Sequence, residues 1–188
     1  MDQIGGSKWG NSLTVVFSLA KWIVLFLVAL LLIHLFVATI FMVDGPSMEP
    51  TLYTKQIMLV NRLAYLTNTP KRGDVVVMRF PGDPVKSRYV KRIVGMPNDD
   101  IAIHDGAIYI NNKALIEPYI PFETYTDTSN ITSAHLKANE YFLVGDHREV
   151  SSDSRIWGPA RKEDLIGRTT FILFPFGEAG YIPHAYYK

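Results

Sequence analysis

A long apolar run occupies the N-terminal quarter of the chain. It extends from Trp22 to Val43 and contains no Asp, Glu, Lys or Arg. A helix of this length would span roughly 33 Å, which is enough for a bilayer core of about 30 Å. We therefore predict an N-terminal segment at 1–21, a single transmembrane anchor at 22–43 and one domain at 44–188.

Two other interpretations of this run are weaker. A helix buried in a soluble core normally has a polar face, and this run has none. A cleaved signal peptide has an apolar region of about 7–15 residues and a small-residue cleavage site, whereas this run is longer and lacks such a site after Val43. His34 lies inside the run, and we interpret it as a neutral, tolerated residue because a single helix gives it no bundle to face.

The charges beside the run indicate its orientation. Lys8 and Lys21 precede it, while Asp44 and Glu49 follow it. Because positive residues stay on the cytoplasmic side, we expect segment 1–21 inside the cell membrane and domain 44–188 on the extracytoplasmic face. Ser47 would then lie close to the outer surface of the lipid bilayer.

Beyond residue 44, short apolar stretches alternate with turns rich in Gly, Pro, Asn and Asp. This pattern predicts short β-strands. We place them at 57–60, 75–80, 88–94, 101–104, 107–110, 141–144 and 168–174. Segment 98–140 reads as a short ribbon or loop insertion, with a hairpin at Asp105-Gly106. The predicted fold is mainly β, an antiparallel barrel or sandwich after one helix.

Composition removes several kinds of chemistry. The chain has 188 residues, a formal net charge of +1 and no cysteine. This excludes disulfides and thiolate catalysis, and the charge gives no reason to expect nucleic-acid binding. The five histidines are not spaced like metal ligands, so we predict no metal and no cofactor. The sequence does not indicate an oligomeric state.

Ser47 stands out in the stretch DGPSMEPTL, between Pro46 and Pro50. The prolines predict a stiff, non-helical turn that presents the serine. A serine hydroxyl becomes a nucleophile only when a neighbouring base removes its proton, and histidine and lysine are the usual bases. Among the histidines outside the apolar run, which lie at 104, 135, 147 and 184, His147 is the best candidate because Asp146 precedes it.

Lys91 is the stronger candidate base. In the predicted strand RYVKRIV, alternation places it among apolar residues on one face and Arg92 on the other. Arginine does not deprotonate in proteins, so only the lysine could accept a proton. Burial would lower its pKa, and a value near 7–8 requires roughly 3–4 kcal/mol of preference for the neutral amine. A lysine whose amine reaches solvent at the strand edge remains the alternative.

Three motifs together resemble the type I signal peptidases, the bacterial leader peptidase family, in their compact Gram-positive-like form. They are GPSMEPTL at 45–52, RYVKRIVGMPND at 88–99 and GDHREVSSDSRIWG at 145–158. They occur in the family's order behind one N-terminal apolar run.

The resemblance implies a membrane-anchored serine endopeptidase that cleaves signal peptides from exported preproteins through an acyl-enzyme. Ser47 would be the nucleophile and Lys91 the general base. Ser151 matches a serine that orients the lysine amine. Four further polar residues match positions that support the site: Asp146, Arg148, Asp153 and Arg155. Asp153 and Arg155 would form a local ion pair along an extended strand.

The chain departs from the family pattern at two positions. His147 stands where asparagine is usual. Gly45 stands where some members have an oxyanion-hole serine, so the backbone N–H of Ser47 is the expected oxyanion donor. Substrate would bind as an added β-strand with small side chains in shallow pockets. We expect the apolar rim of those pockets to include Met48, Ile57 and Phe80.

Two other functions compete with this prediction. A membrane-anchored domain that binds exported peptides without cutting them would lack Ser47 or Lys91, and both are present. A self-cleaving regulator with a Ser-Lys pair is normally soluble, which the apolar run argues against.

Overall fold

A computed structural model of the chain describes residues 8–33, 37–81, 83–85 and 87–182; His34 and His184 lie outside these ranges. Its α-helices are α1 (Lys8–Leu32), α2 (Ala64–Thr67) and α3 (Ser154–Trp157). Its strands are β1 (Ala38–Met42), β2 (Ile57–Asn61), β3 (Val75–Arg79), β4 (Arg88–Gly95), β5 (Asp100–His104), β6 (Ala107–Ile110), β7 (Lys113–Ala114), β8 (Ser133–His135), β9 (Glu140–Val144), β10 (Ala160–Arg161), β11 (Leu165–Phe174) and β12 (Gly180–Tyr181). The predicted mainly β, antiparallel fold after one apolar helix is confirmed.

The N-terminal helix does not have the predicted bounds of 22–43. α1 begins at Lys8 and ends at Leu32, and Ala38–Met42, predicted as part of the same helix, forms strand β1. β1 pairs with β2 along its whole length. Hydropathy alone does not separate an apolar helix from an apolar strand, and the β-branched and aromatic residues of β1 favour the strand.

Within α1, Thr14–Leu32 is long and apolar enough to cross a membrane. This window has 19 residues and a mean hydropathy of 2.7, and none of it is buried. Lys21, predicted to precede the anchor, lies inside it. Because β1 separates this helix from Ser47, the short spacing between Val43 and Ser47 no longer places the serine at a bilayer surface.

The strands form two antiparallel sheets. The larger sheet has the order β1-β2-β11-β3-β4-β9-β10, with β12 also paired to β11. The smaller sheet has the order β7-β6-β5-β8 and lies within the predicted insertion at 98–140. Apolar side chains of β4 and β9 pack against those of β5 and β6 in one core cluster, which joins the two sheets.

Strand β3 is buried on both faces, which explains its continuous apolar sequence. Val75 and Val77 belong to one core cluster, and Val76 and Met78 belong to another. The cluster around Val75 and Val77 also contains buried residues of the loop between β1 and β2, which carries Ser47. The core therefore fixes this loop against the sheet.

Strand β4 has two different halves. Its residues Arg88–Arg92 pair with β3, whereas pairing with β9 begins only at Arg92. Among the described strands, none pairs with the other edge of Arg88–Lys91. This open edge of β4 lies directly beside the candidate site.

Candidate active site

Ser47 is held in place by buried neighbours. Met48 and Leu52 are 1% and 0% exposed, and the Leu52 N–H donates to the Met48 carbonyl at 2.9 Å. Gly45 has a φ of +93°, a conformation that favours glycine. The predicted stiff turn is therefore present, and the Ser47 in this turn is half-buried.

Lys91 reaches Ser47 from the middle of β4. Its Nζ donates to Ser47 Oγ at 2.8 Å, and the lysine is only 3% exposed. Val76 lies opposite Lys91 on β3. The Lys91 Nζ is also 5.5 Å from the centroid of the Tyr89 ring. The amine therefore turns toward the serine, and the alternative of an amine in open solvent is wrong.

Burial lowers the pKa of the Lys91 amine from its ordinary value of 10.5 to about 8. The carboxylates of Asp153 and Asp146 act in the opposite direction, and Arg155 adds to the lowering. An amine with this pKa is unprotonated in part of the population near neutral pH. It can therefore accept a proton from the serine hydroxyl that it contacts.

Replacing Lys91 by methionine is expected to stabilise the fold by about 2–3 kcal/mol at pH 7. The unfolded chain binds a proton at this lysine up to pH 10.5, whereas the folded chain releases it near pH 8. The cost of burying the charged amine is thus greatest below pH 8 and disappears above about pH 10.5. Denaturant unfolding of the full chain in detergent at pH 7, 9 and 10.5 measures this.

The exposed Lys113→Met variant is the control for that experiment, and its effect should not change with pH. A Lys91→Met variant whose stability relative to the parent chain is the same at all three pH values would contradict the burial argument.

The backbone after β9 packs directly against Ser47. The His147 N–H donates to the Ser47 carbonyl at 3.2 Å. A Cβ added at Gly145 would lie 2.5 Å from that carbonyl oxygen and closer still to Ser151 Oγ. Only glycine fits at position 145. Its role could not be predicted from the sequence, because the close approach of Gly145 to Ser47 joins two distant parts of the chain.

Asp153 and Arg155 stabilise the start of this segment. Arg155 Nε and Nη2 donate to the two carboxylate oxygens of Asp153, each at 2.9 Å, and both side chains are buried. Asp153 also accepts from the Gly145 N–H at 3.0 Å. The predicted ion pair forms, but the extended strand is wrong, because Asp153 is the N-cap of α3.

Arg148 connects the same segment to the insertion. Its Nε donates to the Gly145 carbonyl at 3.1 Å, and its Nη1 donates to Glu117 at 2.8 Å and to Thr126 at 2.6 Å. Glu117 and Thr126 lie in the stretch that the sequence left irregular, so their part in the network was missed.

Arg92, the neighbour of Lys91, pairs with the predicted support residue Asp146. Its Nε and Nη2 donate to the two carboxylate oxygens of Asp146 at 2.9 and 2.7 Å. Both residues are buried, and the centroid of the Tyr119 ring lies 3.8 Å from the guanidinium carbon. Alternation with Lys91 places Arg92 on the opposite face of the strand, but no role for Arg92 could be predicted from this pattern.

Ser151 is buried beside these groups, but it does not make the expected contact. Its Oγ has no hydrogen-bond partner in the described part of the chain. The role of orienting Lys91 therefore stays a prediction.

The histidines do not assemble a catalytic triad with Ser47 among the described residues. His104 and His135 are exposed and pair with Asp105 and Asp100. The His147 ring Nδ1 is buried without a hydrogen-bond partner in the part of the chain that the structure describes. Among the described residues, Lys91 and not a histidine lies within hydrogen-bonding distance of Ser47 Oγ.

A cavity of about 290 Å³ opens beside Ser47 and Lys91. It is lined by residues 41–48 at the end of β1 and in the loop that follows, by residues 88–91 of β4, and by Met58, Val77, Val150 and Ser152. Of the three predicted rim residues, Met48 lines this cavity, whereas Ile57 and Phe80 do not. Ile57 lies at the end of β2 opposite Met42, and Phe80 stacks on Tyr89 and contacts Trp157.

Comparison with known proteins identifies the family. A family model described as signal peptidase, peptidase S26, matches residues 16–174. The chain is similar to signal peptidase I of Bacillus amyloliquefaciens, with 35% identity over 167 residues that cover 85% of this chain and 88% of the relative. It is also similar to signal peptidase I S of Bacillus subtilis (strain 168), with 36% identity over 170 residues that cover 85% and 89%.

A third relative, signal peptidase IB of Staphylococcus aureus (strain MRSA252), is 31% identical over 181 residues that cover 87% of this chain and 93% of the relative. A crystal structure of a signal peptidase I from Enterococcus faecalis V583 aligns with a TM-score of 0.46 and 27% identity, covering 54% of this chain and 97% of that chain. On the family match and these relatives, the chain belongs to the signal peptidases of the S26 peptidase family and is a serine peptidase.

Proposed function

We propose that this protein cleaves N-terminal signal peptides from exported preproteins, with Ser47 as the nucleophile and Lys91 as the general base. The observation that carries this proposal is the 2.8 Å contact between Lys91 Nζ and Ser47 Oγ at a buried lysine whose pKa is about 8. The relatives that share most of the chain are named signal peptidases, which supports the substrate class.

The reaction would be acyl transfer in two stages. Neutral Lys91 takes the proton from Ser47 Oγ as this oxygen attacks the scissile carbonyl carbon. The resulting ammonium returns the proton to the leaving amine, which becomes the N-terminus of the mature protein, and the signal peptide stays bound to Ser47 as an ester. Lys91 then takes a proton from water as the water oxygen attacks the ester carbonyl carbon. The resulting ammonium returns the proton to Ser47 Oγ, and the signal peptide leaves with a free carboxyl group.

The developing oxyanion needs a hydrogen-bond donor beside Ser47. The Ser47 N–H donates no hydrogen bond in the described part of the chain, which leaves it available for this role. Gly45 has no side chain and Pro46 has no N–H. A donor in this position typically contributes about 2.7–4 kcal/mol to transition-state stabilisation.

Substrate would bind along the open edge of β4. Residues Arg88–Lys91 pair with β3 on one edge only, so an extended peptide could add a strand on the other. Its reacting carbonyl carbon would then lie against Ser47 Oγ, which Lys91 Nζ contacts at 2.8 Å. The cavity is small, which favours small side chains next to the scissile bond.

We also propose that α1 anchors the protein in the cell membrane as a single span. Thr14–Leu32 has the required length and apolar composition. Lys8 precedes this window, which favours an N-terminus inside and a catalytic domain on the extracytoplasmic face. The signal peptide would share the bilayer with α1 during cleavage.

The direct test is to incubate the purified full chain, in detergent, with a preprotein and to sequence the new N-terminus of the product. Cleavage at the end of the signal peptide is expected. The matched control is the same preprotein with a tryptophan immediately before the cleavage site, which a pocket for small side chains should reject. An intact preprotein, or cleavage within the mature region, would contradict the proposal.

Activity is expected to fall as the pH drops below about 8. The protonated amine cannot accept the serine proton, so kcat/KM should decrease about tenfold per pH unit well below the Lys91 pKa. We would measure kcat/KM from pH 6 to 9.5 with a slowly cleaved peptide, so that chemistry limits the rate. A profile that stays level down to pH 6 would argue against Lys91 as the base.

A further inference from the structure

Arg88 is a second cationic residue in the cavity, and the proposed mechanism does not use it. It is the first residue of β4 and is exposed, and it lines the cavity together with Ser47 and Lys91. Its guanidinium carbon lies 5.2 Å from the centroid of the Phe41 ring, which is also part of the wall. This cation–π contact holds the guanidinium at the cavity wall.

The charge of Arg88 is not neutralised by a described carboxylate. No described acidic group forms an ion pair with it, and Asp44, which also lines the cavity, is not its partner. Arg79, directly opposite on β3, differs because it donates to the Glu163 carbonyl at 3.3 Å and does not line the cavity. Arg88 therefore presents an available positive charge to whatever occupies the cavity.

The position of Arg88 relates it to a bound peptide. It lies three positions before Lys91 along an extended strand, which corresponds to roughly 10 Å. A peptide paired with the open edge of β4 would follow the same spacing. With the added reach of the arginine side chain, the guanidinium would meet a peptide side chain about three to five residues from the scissile bond.

Resting on the proposed cleavage of signal peptides, we propose that Arg88 determines specificity by favouring substrates with an acidic side chain about three to five residues from the scissile bond. The lining of the cavity also includes the apolar residues Met58 and Val77, and the Phe41 ring lies against the guanidinium. The contact lies away from the reacting atoms and is made equally in the ground state and in the transition state. It should therefore act on KM and leave kcat unchanged.

The test uses a preprotein-derived peptide series cleaved by the full chain in neutral detergent. Glu, Gln or Lys is placed singly at each position from three to five residues before and after the scissile bond. For at least one position, the peptide with Glu is expected to have a kcat/KM about three- to fivefold above that with Lys, through KM. Salt at 0.5 M should reduce the preference.

Arg88→Glu should invert this order, and Arg88→Gln should remove it. Arg79→Glu is the matched control, since it changes the same charge on the neighbouring strand outside the cavity, and it should keep the wild-type order. Thermal unfolding of all three variants shows whether they are folded. If Arg88→Glu does not fold, Arg88→Gln still tests the role of the Arg88 charge.

Equal cleavage of the Glu, Gln and Lys peptides by the parent chain would overturn the inference and leave the proposed function intact. The inference would also be overturned if Arg88→Glu cleaved the peptides in the same order of preference as the parent chain. A loss that is the same for every peptide and occurs only in vesicles containing anionic lipid would assign Arg88 to lipid headgroups, and it would also overturn the inference. Failure to cleave any of the peptides would instead overturn the proposed function, and the inference with it.

Discussion

Replacing Ser47 by alanine is expected to lower preprotein cleavage by about 10⁴-fold or more. The hydroxyl oxygen would form the acyl bond, and no other described side chain at the cavity accepts a hydrogen bond from Lys91. Substrate binding should persist, because the cavity walls and the open edge of β4 do not depend on this oxygen. We would measure single-turnover cleavage, together with the affinity for an uncleaved peptide.

Ser133→Ala is the matched control, since this exposed serine lies on β8 in the smaller sheet. It should cleave like the parent chain. If Ser47→Ala retained more than about one hundredth of the parental rate with the same product N-terminus, another group would have to be the nucleophile.

Replacing Lys91 by arginine is expected to reduce cleavage by about 10³-fold or more, although the positive charge is kept. Arginine does not deprotonate in proteins, so it cannot accept the Ser47 proton at any pH of the assay. The rate of this variant should therefore lack the rise toward pH 8 that the parent chain shows. Measurement of kcat/KM between pH 6 and 9.5 tests both expectations.

Arginine is larger than lysine and could disturb a site that is only 3% exposed. Lys91→Met, which has a similar shape and no basic group, separates the two effects and should be equally inactive while remaining folded. The double variant Ser47→Ala, Lys91→Met should be no slower than either single variant, because residues that act as a unit are not additive. If the rate loss of the double variant equalled the product of the rate losses of the two single variants, Ser47 and Lys91 would act independently.

The order of the strands along the chain could be read from alternation and turn residues. The stretches predicted around 75–80, 88–94 and 107–110 appear as β3, β4 and β6. β1 was missed because its five residues continue the apolar run of the helix, and only the pairing with β2 distinguishes them. Strand pairing is a long-range property, so local hydropathy does not contain it.

The network around the site shows the same limit. Asp153 and Arg155 are close in sequence, and their ion pair could be predicted from the motif. The pairs Arg92–Asp146 and Arg148–Glu117 join segments that are far apart in the sequence, and each partner alone looks like an ordinary surface charge. The fold buries these residues, and burial then requires each charge to have a partner.

Local patterns along the chain identify the residue types that this chemistry needs: a serine in a turn stiffened by two prolines, a lysine within an apolar strand, and a polar motif between residues 145 and 158. The packing of distant segments places Lys91 Nζ 2.8 Å from Ser47 Oγ, lowers the pKa of this amine to about 8, and requires Gly145 to leave room for the Ser47 carbonyl. Desolvation explains why these properties depend on the fold. A lysine becomes a usable base when neighbouring strands exclude water from it, and those neighbours come from distant parts of the chain.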